Sequence, residues 1–248
     1  MKAILLAAGR GRRLESDAPK CLLEIAGKTL LERHLENLAA AGVTDLTIVV
    51  GYEQAQIRDF IAKRTWPIPV DFVENSRFVR GSIVSLAVAI DRLVEQGGIW
   101  MDADVLYPAE LMRRLVESKH PNCVLLDSSS EETGEEMMLG VRGGRVLRVA
   151  RRVSPEAPWD LVGEAVGFAK VGPAGAAEMK RILDQEIAAD RLDQEYEAAM
   201  NLCFAAQPWG FEPVADLAWT EIDFPHDVAY ARDVIMPALA AARTRLNA

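Results

Sequence analysis

Short apolar runs alternate with amphipathic segments through the first half of the chain. The apolar runs are typical of strands that are buried on both faces of a sheet. The amphipathic segments carry apolar residues three and four positions apart, which predicts helices. The predicted strands are Lys2–Ala7, Asp45–Val50, Val70–Val73, Gly98–Met101 and Cys123–Asp127, and the predicted helices are Leu30–Ala41, Glu53–Lys63, Ser82–Glu95 and Pro108–Glu117. This order predicts an α/β, Rossmann-like fold with a mostly parallel central sheet and helices on both faces.

The pattern changes after residue 127. Two apolar segments flank Arg142-Gly143-Gly144, and the paired glycines predict a hairpin turn. The further predicted strands are Met137–Val141, Val146–Ala150, Glu164–Lys170 and Trp219–Asp223, and the further helices are Pro173–Asp190, Gln194–Ala206 and Val228–Arg243. We therefore expect a single domain over residues 1–248, in which a small β-rich subregion follows a core of residues 1–127.

Composition and charge exclude several classes of function. The net charge of −9 over 248 residues disfavours general nucleic-acid binding, which needs a basic surface. No apolar stretch approaches the roughly 20 residues of a membrane helix, so the sequence predicts a cytoplasmic protein with no membrane partner. The three cysteines have neither zinc-site nor disulfide spacing. The three histidines, which we interpret as surface or helix residues, are assigned no chemistry: His34, His120 and His226.

The loop after the first strand has the composition of a phosphate-binding loop. Gly9 and Gly11 carry no side chain, so backbone N–H groups can approach phosphate oxygens closely. Four cations add positive charge, namely Arg10, Arg12, Arg13 and, after Pro19, Lys20. Leu14 breaks the dinucleotide-binding pattern, and Leu22 stands where a Walker loop needs its first glycine. For the two glycines alone, an ordinary turn between a strand and a helix remains an alternative.

Two carboxylate pairs occur where predicted strands end. Asp102-Ala103-Asp104 follows an apolar strand, and Glu221 and Asp223 alternate on one face of another. Ligands of open parallel sheets bind at the carboxyl ends of the strands, and Mg²⁺ prefers one or two protein carboxylates together with phosphate oxygens. An aspartate pair at a strand end can also be a capping or loop feature, and the separation in sequence says nothing about proximity.

The longer sequence strings resemble a known family. The N-terminal string is Ala-Ala-Gly-x-Gly-x-x-Leu, then Pro-Lys, then Leu-Leu-Glu-Ile-Ala-Gly-Lys-Thr-Leu-Leu. It resembles the bacterial nucleotidyltransferases that join a nucleoside triphosphate to a sugar phosphate or a phospho-alcohol. Further strings begin at Gly163, Tyr196 and Trp219, and with them nearly the whole chain resembles the choline-phosphate and 2-aminoethylphosphonate cytidylyltransferase branch.

The resemblance implies roles for individual residues. Asp104, Glu221 and Asp223 stand at the positions that hold Mg²⁺, and Lys20, Arg13 and Asp104 at those that carry catalysis. The implied nucleotide-binding residues are Leu6, Ala7, Ala8, Gly9, Arg10, Gly11, Arg12, Arg13, Lys20, Ser82, Ser85 and Asp102. The implied acceptor-binding residues are Glu164, Tyr196, Glu197 and Arg151, within an acceptor-binding region of residues 128–248. Trp159 and the acidic segment Glu131–Glu136 are further candidates for the acceptor.

The expected reaction is transfer of a cytidylyl group from CTP to phosphocholine, phosphoethanolamine or 2-aminoethylphosphonate, with release of pyrophosphate. The chain departs from the branch at Arg80–Leu86, which lacks paired asparagines and an aromatic residue, and at Arg151 and Arg152, where relatives often place a lysine. Two alternatives therefore stay open. One is a sugar-1-phosphate or inositol-phosphate nucleotidyltransferase, and the other is a regulatory module that binds a nucleotide without catalysis. A homodimer is a further expectation.

Overall fold

A mixed sheet of nine strands lies at the centre of the fold in a computed structural model that describes residues 1–14, 17–130, 134–154 and 157–246. The strands of the described chain are β1 (Lys2–Ala7), β2 (Glu24–Ile25), β3 (Lys28–Thr29), β4 (Asp45–Val50), β5 (Val70–Glu74), β6 (Gly98–Asp102), β7 (Val105–Leu106), β8 (Cys123–Asp127), β9 (Met138–Arg142), β10 (Arg145–Ala150), β11 (Leu161–Val171), β12 (Gly210–Pro213) and β13 (Thr220–Glu221). The helices are α1 (Leu30–Ala40), α2 (Gln54–Ala62), α3 (Ser82–Ala87), α4 (Asp91–Val94), α5 (Ala109–Glu117), α6 (Pro173–Ala188), α7 (Glu197–Ala206), α8 (Pro225–Tyr230) and α9 (Met236–Leu246).

The order of the strands confirms the predicted α/β, Rossmann-like architecture. Along the main path the order is β10-β9-β11-β6-β1-β4-β5, and β8 pairs with both β11 and β12. Strands β6, β1, β4 and β5 run parallel, whereas β11 is antiparallel to each strand with which it pairs. Leu6 of β1 lies opposite Asp102 of β6, so the loop after β1 and the Asp102–Asp104 segment leave the sheet at the same edge.

Apolar side chains alternate between two cores, one on each face of the sheet. Ile4 of β1 belongs to the core beneath α3, α4, α6 and α7, and Leu5 belongs to the core beneath α1, α2 and α5. Successive residues of a strand point to opposite faces, so a fully apolar strand serves both layers. Helices therefore cover both faces, as the sequence predicts.

Helix α1 begins with a capping box. Thr29 Oγ1 accepts a hydrogen bond from the Glu32 amide (3.1 Å), and the Glu32 carboxylate accepts one from the Thr29 amide (2.8 Å). The β2–β3 hairpin turns at Ala26 and Gly27, which both have positive φ. Gly27 thus lies in a turn and Lys28 begins the short strand that leads into α1, so the segment is not a Walker loop.

Two predicted helices are divided in the structure. The Ser82–Glu95 segment forms α3 and α4, because the amide of Ala89 bonds to the carbonyl three residues back, as does the amide of Arg92. The Val228–Arg243 segment begins earlier, at Pro225, and contains a π-helical turn over Ala231–Ile235 between α8 and α9. Within the described residues, none of the helices has the length and apolar character that a bilayer-crossing span requires.

Candidate active site

The side chain of Lys20 packs directly against the glycine loop at Gly11. Gly11 has a φ of +59°, and a Cβ there would lie 2.8 Å from Lys20 Cγ. The loop therefore needs glycine at position 11, both for its left-handed conformation and for the passage of the lysine chain. Among the described residues, a Cβ at Gly9 would meet nothing within 4 Å.

Lys20 lies between two carboxylates from distant parts of the chain. Its Nζ donates to Asp104 Oδ2 at 2.8 Å and also to Asp223 Oδ1. Burial lowers the pKa of Lys20, but the charges of Asp104 and Asp223 outweigh it and raise this pKa above the ordinary lysine value. The ammonium group is thus charged throughout the physiological range. Arg13 approaches the same centre, with Nη1 3.1 Å from Asp223 Oδ2 and 3.3 Å from a carboxylate oxygen of Glu135.

A two-residue pairing brings the second acidic segment to the first. Glu221 of β13 lies opposite Val105 of β7, and the amide of Ile222 donates to the carbonyl of Asp104 at 3.0 Å. Beyond β13, the Asp227 carboxylate accepts hydrogen bonds from the Asp223 amide (2.9 Å) and the next amide along the chain (2.8 Å). This arrangement holds Asp223 close to Asp104.

Asp104, Glu221 and Asp223 form a cluster that we call the carboxylate triad. One oxygen from each lies within 4.8 Å of the others. Loss of hydration and the charges of Asp104 and Asp223 raise the pKa of Glu221 well above its ordinary value. A hard divalent cation would relieve this repulsion, and carboxylate oxygens, together with the phosphate oxygens of a substrate, are the ligands that Mg²⁺ takes in proteins. The residues therefore fit the metal that the resemblance implies.

An inner cavity of about 210 Å³ opens behind the triad. Its wall includes Leu6, Asp102, Arg151, Tyr196 and Glu197, together with triad residues. The Tyr196 hydroxyl donates to Asp102 Oδ2 at 2.7 Å. The structure thus brings three of the four predicted acceptor-binding residues into one cavity.

The inner cavity is acidic. Loss of hydration, together with the charges of Asp104 and Glu197, raises the pKa of Asp102 well above its ordinary value. Loss of hydration also raises the pKa of Glu197 to about 7. Arg151 lines the same cavity, but its Nη2 is bound to a Glu195 carboxylate oxygen at 2.6 Å. The cavity therefore favours a positively charged ligand group.

Glu164, the fourth predicted acceptor-binding residue, lies in a different place. It lines an outer cavity of about 680 Å³ with Asp127, Trp219 and Tyr230. Ser130 Oγ donates to the Glu164 carboxylate, yet loss of hydration and the nearby Glu136 and Asp127 raise the pKa of Glu164 to about 7. Glu221 lines both cavities.

The predicted nucleotide-binding residues lie in different surroundings, and only some of them line the inner cavity. Ser82 lines the inner cavity, and its Oγ accepts a hydrogen bond from the Tyr196 amide at 2.9 Å. Ser85 is buried and accepts a hydrogen bond from Asn75 Nδ2 at 3.0 Å, so its hydroxyl serves the packing of α3. The Arg10 guanidinium lies over the ring of Tyr52, 5.5 Å from the ring centroid.

Two other predicted nucleotide-binding residues, Ala7 and Ala8, lie at the end of β1 and directly after it. Ala7 and Ala8 are buried there, and the Ala8 carbonyl accepts from the Tyr52 amide at 3.0 Å. The side chain of Arg12 lies outside the described residues.

Two further acceptor candidates have other surroundings. Trp159 packs on Gly140 of β9, where a Cβ would lie 2.9 Å from the indole ring, and neither cavity includes Trp159 in its wall. The acidic segment 131–136 falls partly outside the described residues, but its Glu135 and Glu136 reach the inner and the outer cavity respectively.

Sequence reasoning missed Gly167 and His34. Gly167 has a φ of +78°, and a Cβ there would collide with Oδ2 of Asp102 and lie 3.2 Å from its Cγ. His34 is buried rather than at the surface, and it contacts the backbone of Ala103, between Asp102 and Asp104. For His34, the only signal in the sequence is an isolated histidine on the apolar face of a predicted helix.

Comparison with known proteins identifies a family that matches this chain and solved structures that share its fold. The model of the MobA-like NTP transferase domain matches residues 3–242. The chain is 28% identical over 238 residues to a bifunctional IPC transferase and DIPP synthase of Rubrobacter xylanophilus, which covers 94% of this chain and 52% of that protein. It is 24% identical over 245 residues to the CMP-5'-(3-aminopropyl)phosphonate synthase of Streptomyces rubellomurinus, which covers 92% of this chain and 37% of that one. The chain thus spans about half or less of the length of these relatives.

The fold is also that of solved structures. The CTP:phosphocholine cytidylyltransferase from Streptococcus pneumoniae superposes with a TM-score of 0.76 at 20% sequence identity, over 94% of this chain and 98% of that one.

Proposed function

The chain belongs to the MobA-like NTP transferase family, and on that premise we propose that it is a cytidylyltransferase whose acceptor is a small phosphorylated or phosphonate compound with a cationic amine. The names of two relatives support the cytidylyl group and the phosphonate class, since one is a CMP-aminopropylphosphonate synthase and another is a CTP:phosphoglutamine cytidylyltransferase.

One observation carries the proposal of nucleotidyl transfer. Lys20 and Arg13, which belong to the segment after β1, converge on the carboxylate triad at the carboxyl edge of the sheet. A charged lysine, an arginine and a cation-binding triad in one place match the needs of a polyphosphate that loses pyrophosphate. A module that only binds a nucleotide would not require this combination.

The proposed reaction is an in-line displacement at the α-phosphorus of CTP. An oxygen of the acceptor phosphate or phosphonate forms the new P–O bond while the bond to the pyrophosphate oxygen breaks, and pyrophosphate takes the electron pair. Held by the triad, Mg²⁺ would neutralise charge on the phosphate oxygens. Because an ionised phosphate is already a nucleophile, the reaction needs no general base. The chain contributes orientation and charge stabilisation.

Lys20 and Arg13 have separate tasks in this proposal. The Lys20 ammonium is half-buried beside Asp104, and we assign it to the α-phosphate, whose negative charge it stabilises in the transition state. Arg13 is more exposed, and its guanidinium has the planar fork that binds phosphate oxygens in pairs. We assign Arg13 to the leaving pyrophosphate, with the backbone of Gly9–Gly11 beside it.

The acidity of the inner cavity supports a cationic acceptor. Asp102 and Glu197 face this cavity, and a protonated amine there would lower the cost of ionising both carboxyl groups. The neutral ring of a sugar or inositol phosphate would leave that cost in place. The triad residues line the same cavity, which supports a small acceptor whose amine would lie in the cavity while its phosphate lies at the triad.

The test is a matrix of substrates assayed by pyrophosphate release. CTP, ATP, GTP and UTP are each combined with phosphocholine, phosphoethanolamine, 2-aminoethylphosphonate, inositol phosphate and sugar-1-phosphates. We expect turnover with CTP and an aminated acceptor. Equal turnover with all four nucleotides would contradict the cytidylyl assignment, and turnover with a sugar-1-phosphate alone would contradict the cationic acceptor. A blank matrix with ligand-induced stabilisation by CTP would indicate the non-catalytic module.

A further inference from the structure

The buried face of helix α1 is mostly apolar but carries two polar residues, His34 and Asn37. His34 is 1% exposed and lies among the buried leucines Leu31, Leu35 and Leu38. Burial of a polar ring costs free energy unless the ring is hydrogen-bonded. Both ring nitrogens of His34 have partners: Nε2 lies 3.1 Å from the carbonyl oxygen of Ala103, and Nδ1 lies 3.3 Å from the hydroxyl of Tyr107.

The chemistry of the partners assigns the proton. A carbonyl oxygen only accepts, so Nε2 carries the hydrogen and donates it to Ala103, and Nδ1 accepts from the Tyr107 hydroxyl. Burial lowers the pKa of His34 to about 4, which keeps the ring neutral at physiological pH. Burial also raises the pKa of Tyr107, which keeps its hydroxyl protonated. The hydrogen bonds from Tyr107 to His34 and from His34 to Ala103 therefore run in one direction, and the His34 ring has one protonation state.

Ala103 is the residue between Asp102 and Asp104. The chain bends there, after β6 ends and before β7 begins, and no strand among the described residues pairs with Ala103. The His34 ring supplies the missing donor. Asn37, one turn further along α1, donates from Nδ2 to the carbonyl of Tyr107 at 3.1 Å. Helix α1 thus binds the Asp102–Tyr107 segment at two points.

We infer that His34 is a positioning residue for metal binding by the carboxylate triad, an assignment that rests on the proposed function. By fixing the carbonyl of Ala103, His34 sets the direction in which Asp104 leaves the backbone toward Glu221 and Asp223. The contact does not touch the metal, the nucleotide or the acceptor. It acts as hydrogen bonds behind metal ligands do in general, by orienting the ligand before the metal arrives.

The experiment compares three variants of the full chain. His34→Leu keeps the volume of the side chain but leaves the Ala103 carbonyl without a donor. His34→Gln restores an N–H donor of similar reach. Leu38→Ala is the matched control, because it opens a cavity at another buried position of the same helix. Binding of Mn²⁺ is titrated by electron paramagnetic resonance with and without CTP, and unfolding is followed in parallel.

For His34→Leu we expect the Kd for Mn²⁺ to rise about tenfold or more, the range usual for lost hydrogen bonds behind metal ligands. His34→Gln should recover most of the affinity, and Leu38→Ala should lower the unfolding midpoint while it leaves the Kd unchanged. With an active acceptor, His34→Leu should raise the half-saturating Mg²⁺ concentration more than the KM for the acceptor.

Two results would overturn the inference: unchanged Mn²⁺ affinity in His34→Leu, or equal losses of affinity in His34→Leu and Leu38→Ala. The design separates this inference from the proposed function. If no substrate pair releases pyrophosphate, yet His34→Leu weakens Mn²⁺ binding and glutamine restores it, the positioning role stands and the proposed reaction is wrong.

Discussion

Replacement of Gly167 by alanine tests how the inner cavity is built. Gly167 lies in β11 with a φ of +78°, and its missing side chain makes room for the Asp102 carboxylate that Tyr196 binds. An alanine there must adopt the left-handed conformation and must also push against Asp102. Gly42 is the matched control, since its φ is +79° and a Cβ there would meet nothing within 4 Å.

The two substitutions separate the conformational cost from the steric one. The left-handed conformation costs alanine about 1–2 kcal/mol at either position. Overpacking at Asp102 adds about 1–3 kcal/mol at Gly167 only. The entropy lost by the unfolded chain on replacing glycine is shared, so it cancels in the comparison. We therefore expect Gly167→Ala to lose about 2–5 kcal/mol and Gly42→Ala about 1–2 kcal/mol.

Urea unfolding measures the difference, and substrate kinetics show where it acts. Gly167→Ala should raise the KM for an aminated acceptor, because Asp102 is displaced, whereas Gly42→Ala should keep the wild-type KM. Equal free energies of unfolding in the two variants would refute the claim that Asp102 lies against Gly167. An unchanged acceptor KM in Gly167→Ala would remove Asp102 from acceptor recognition.

Three further predictions address the triad, the inner cavity and His34. Asp104→Asn should reduce pyrophosphate release by orders of magnitude while circular dichroism and unfolding show a retained fold; near-normal turnover would contradict its role in holding the metal. Glu197 has a pKa raised to about 7, so its charged form appears as the pH rises through 7, and the KM for an aminated acceptor should fall from pH 6 to pH 8. Glu197→Gln should flatten this fall, and an identical pH profile would exclude Glu197. The folded-state pKa of His34 is lowered to about 4, so between pH 6.5 and 4 only the unfolded state binds a proton there, and the protein should lose up to about 3 kcal/mol as the pH falls through this window. In His34→Gln, this part of the pH-dependent loss of unfolding free energy, measured with urea, should be absent. If the unfolding free energy of the wild type and of His34→Gln falls equally with pH, the ring of His34 is not held neutral by burial.

The sequence predicts one half of the site from first principles. The glycine loop follows a buried strand, and Asp102 and Asp104 follow another, so the rule that ligands bind at the carboxyl ends of parallel strands places them together. The structure has both at the same sheet edge, with Leu6 opposite Asp102. The geometry there depends on strand order alone, which the alternation of elements already indicates.

The other half depends on contacts that leave no sequence pattern. Glu221 and Asp223 reach Asp104 through a pairing of only two residues per strand, which is too short to produce a periodic signal. Only the family resemblance connected the two acidic segments. The separation of Glu164 from Tyr196 and Glu197 could not be predicted either, because it depends on which of the two cavities each side chain lines. The role of His34 could not be predicted either, because it depends on the buried carbonyl of Ala103, which lies at a bend of the chain.

The position of Lys20 has a consequence for the order in which the molecule is assembled. Three carboxylates gathered at one point would oppose folding, since like charges in a desolvated place repel each other. Lys20 arrives from the same chain and bonds to two of them, Asp104 and Asp223. The acidic centre therefore carries its own counter-charge, so a newly made chain can close it without waiting for a metal ion. Folding of this centre and the metal binding that we propose for it are thus separate events, and the first does not require the second.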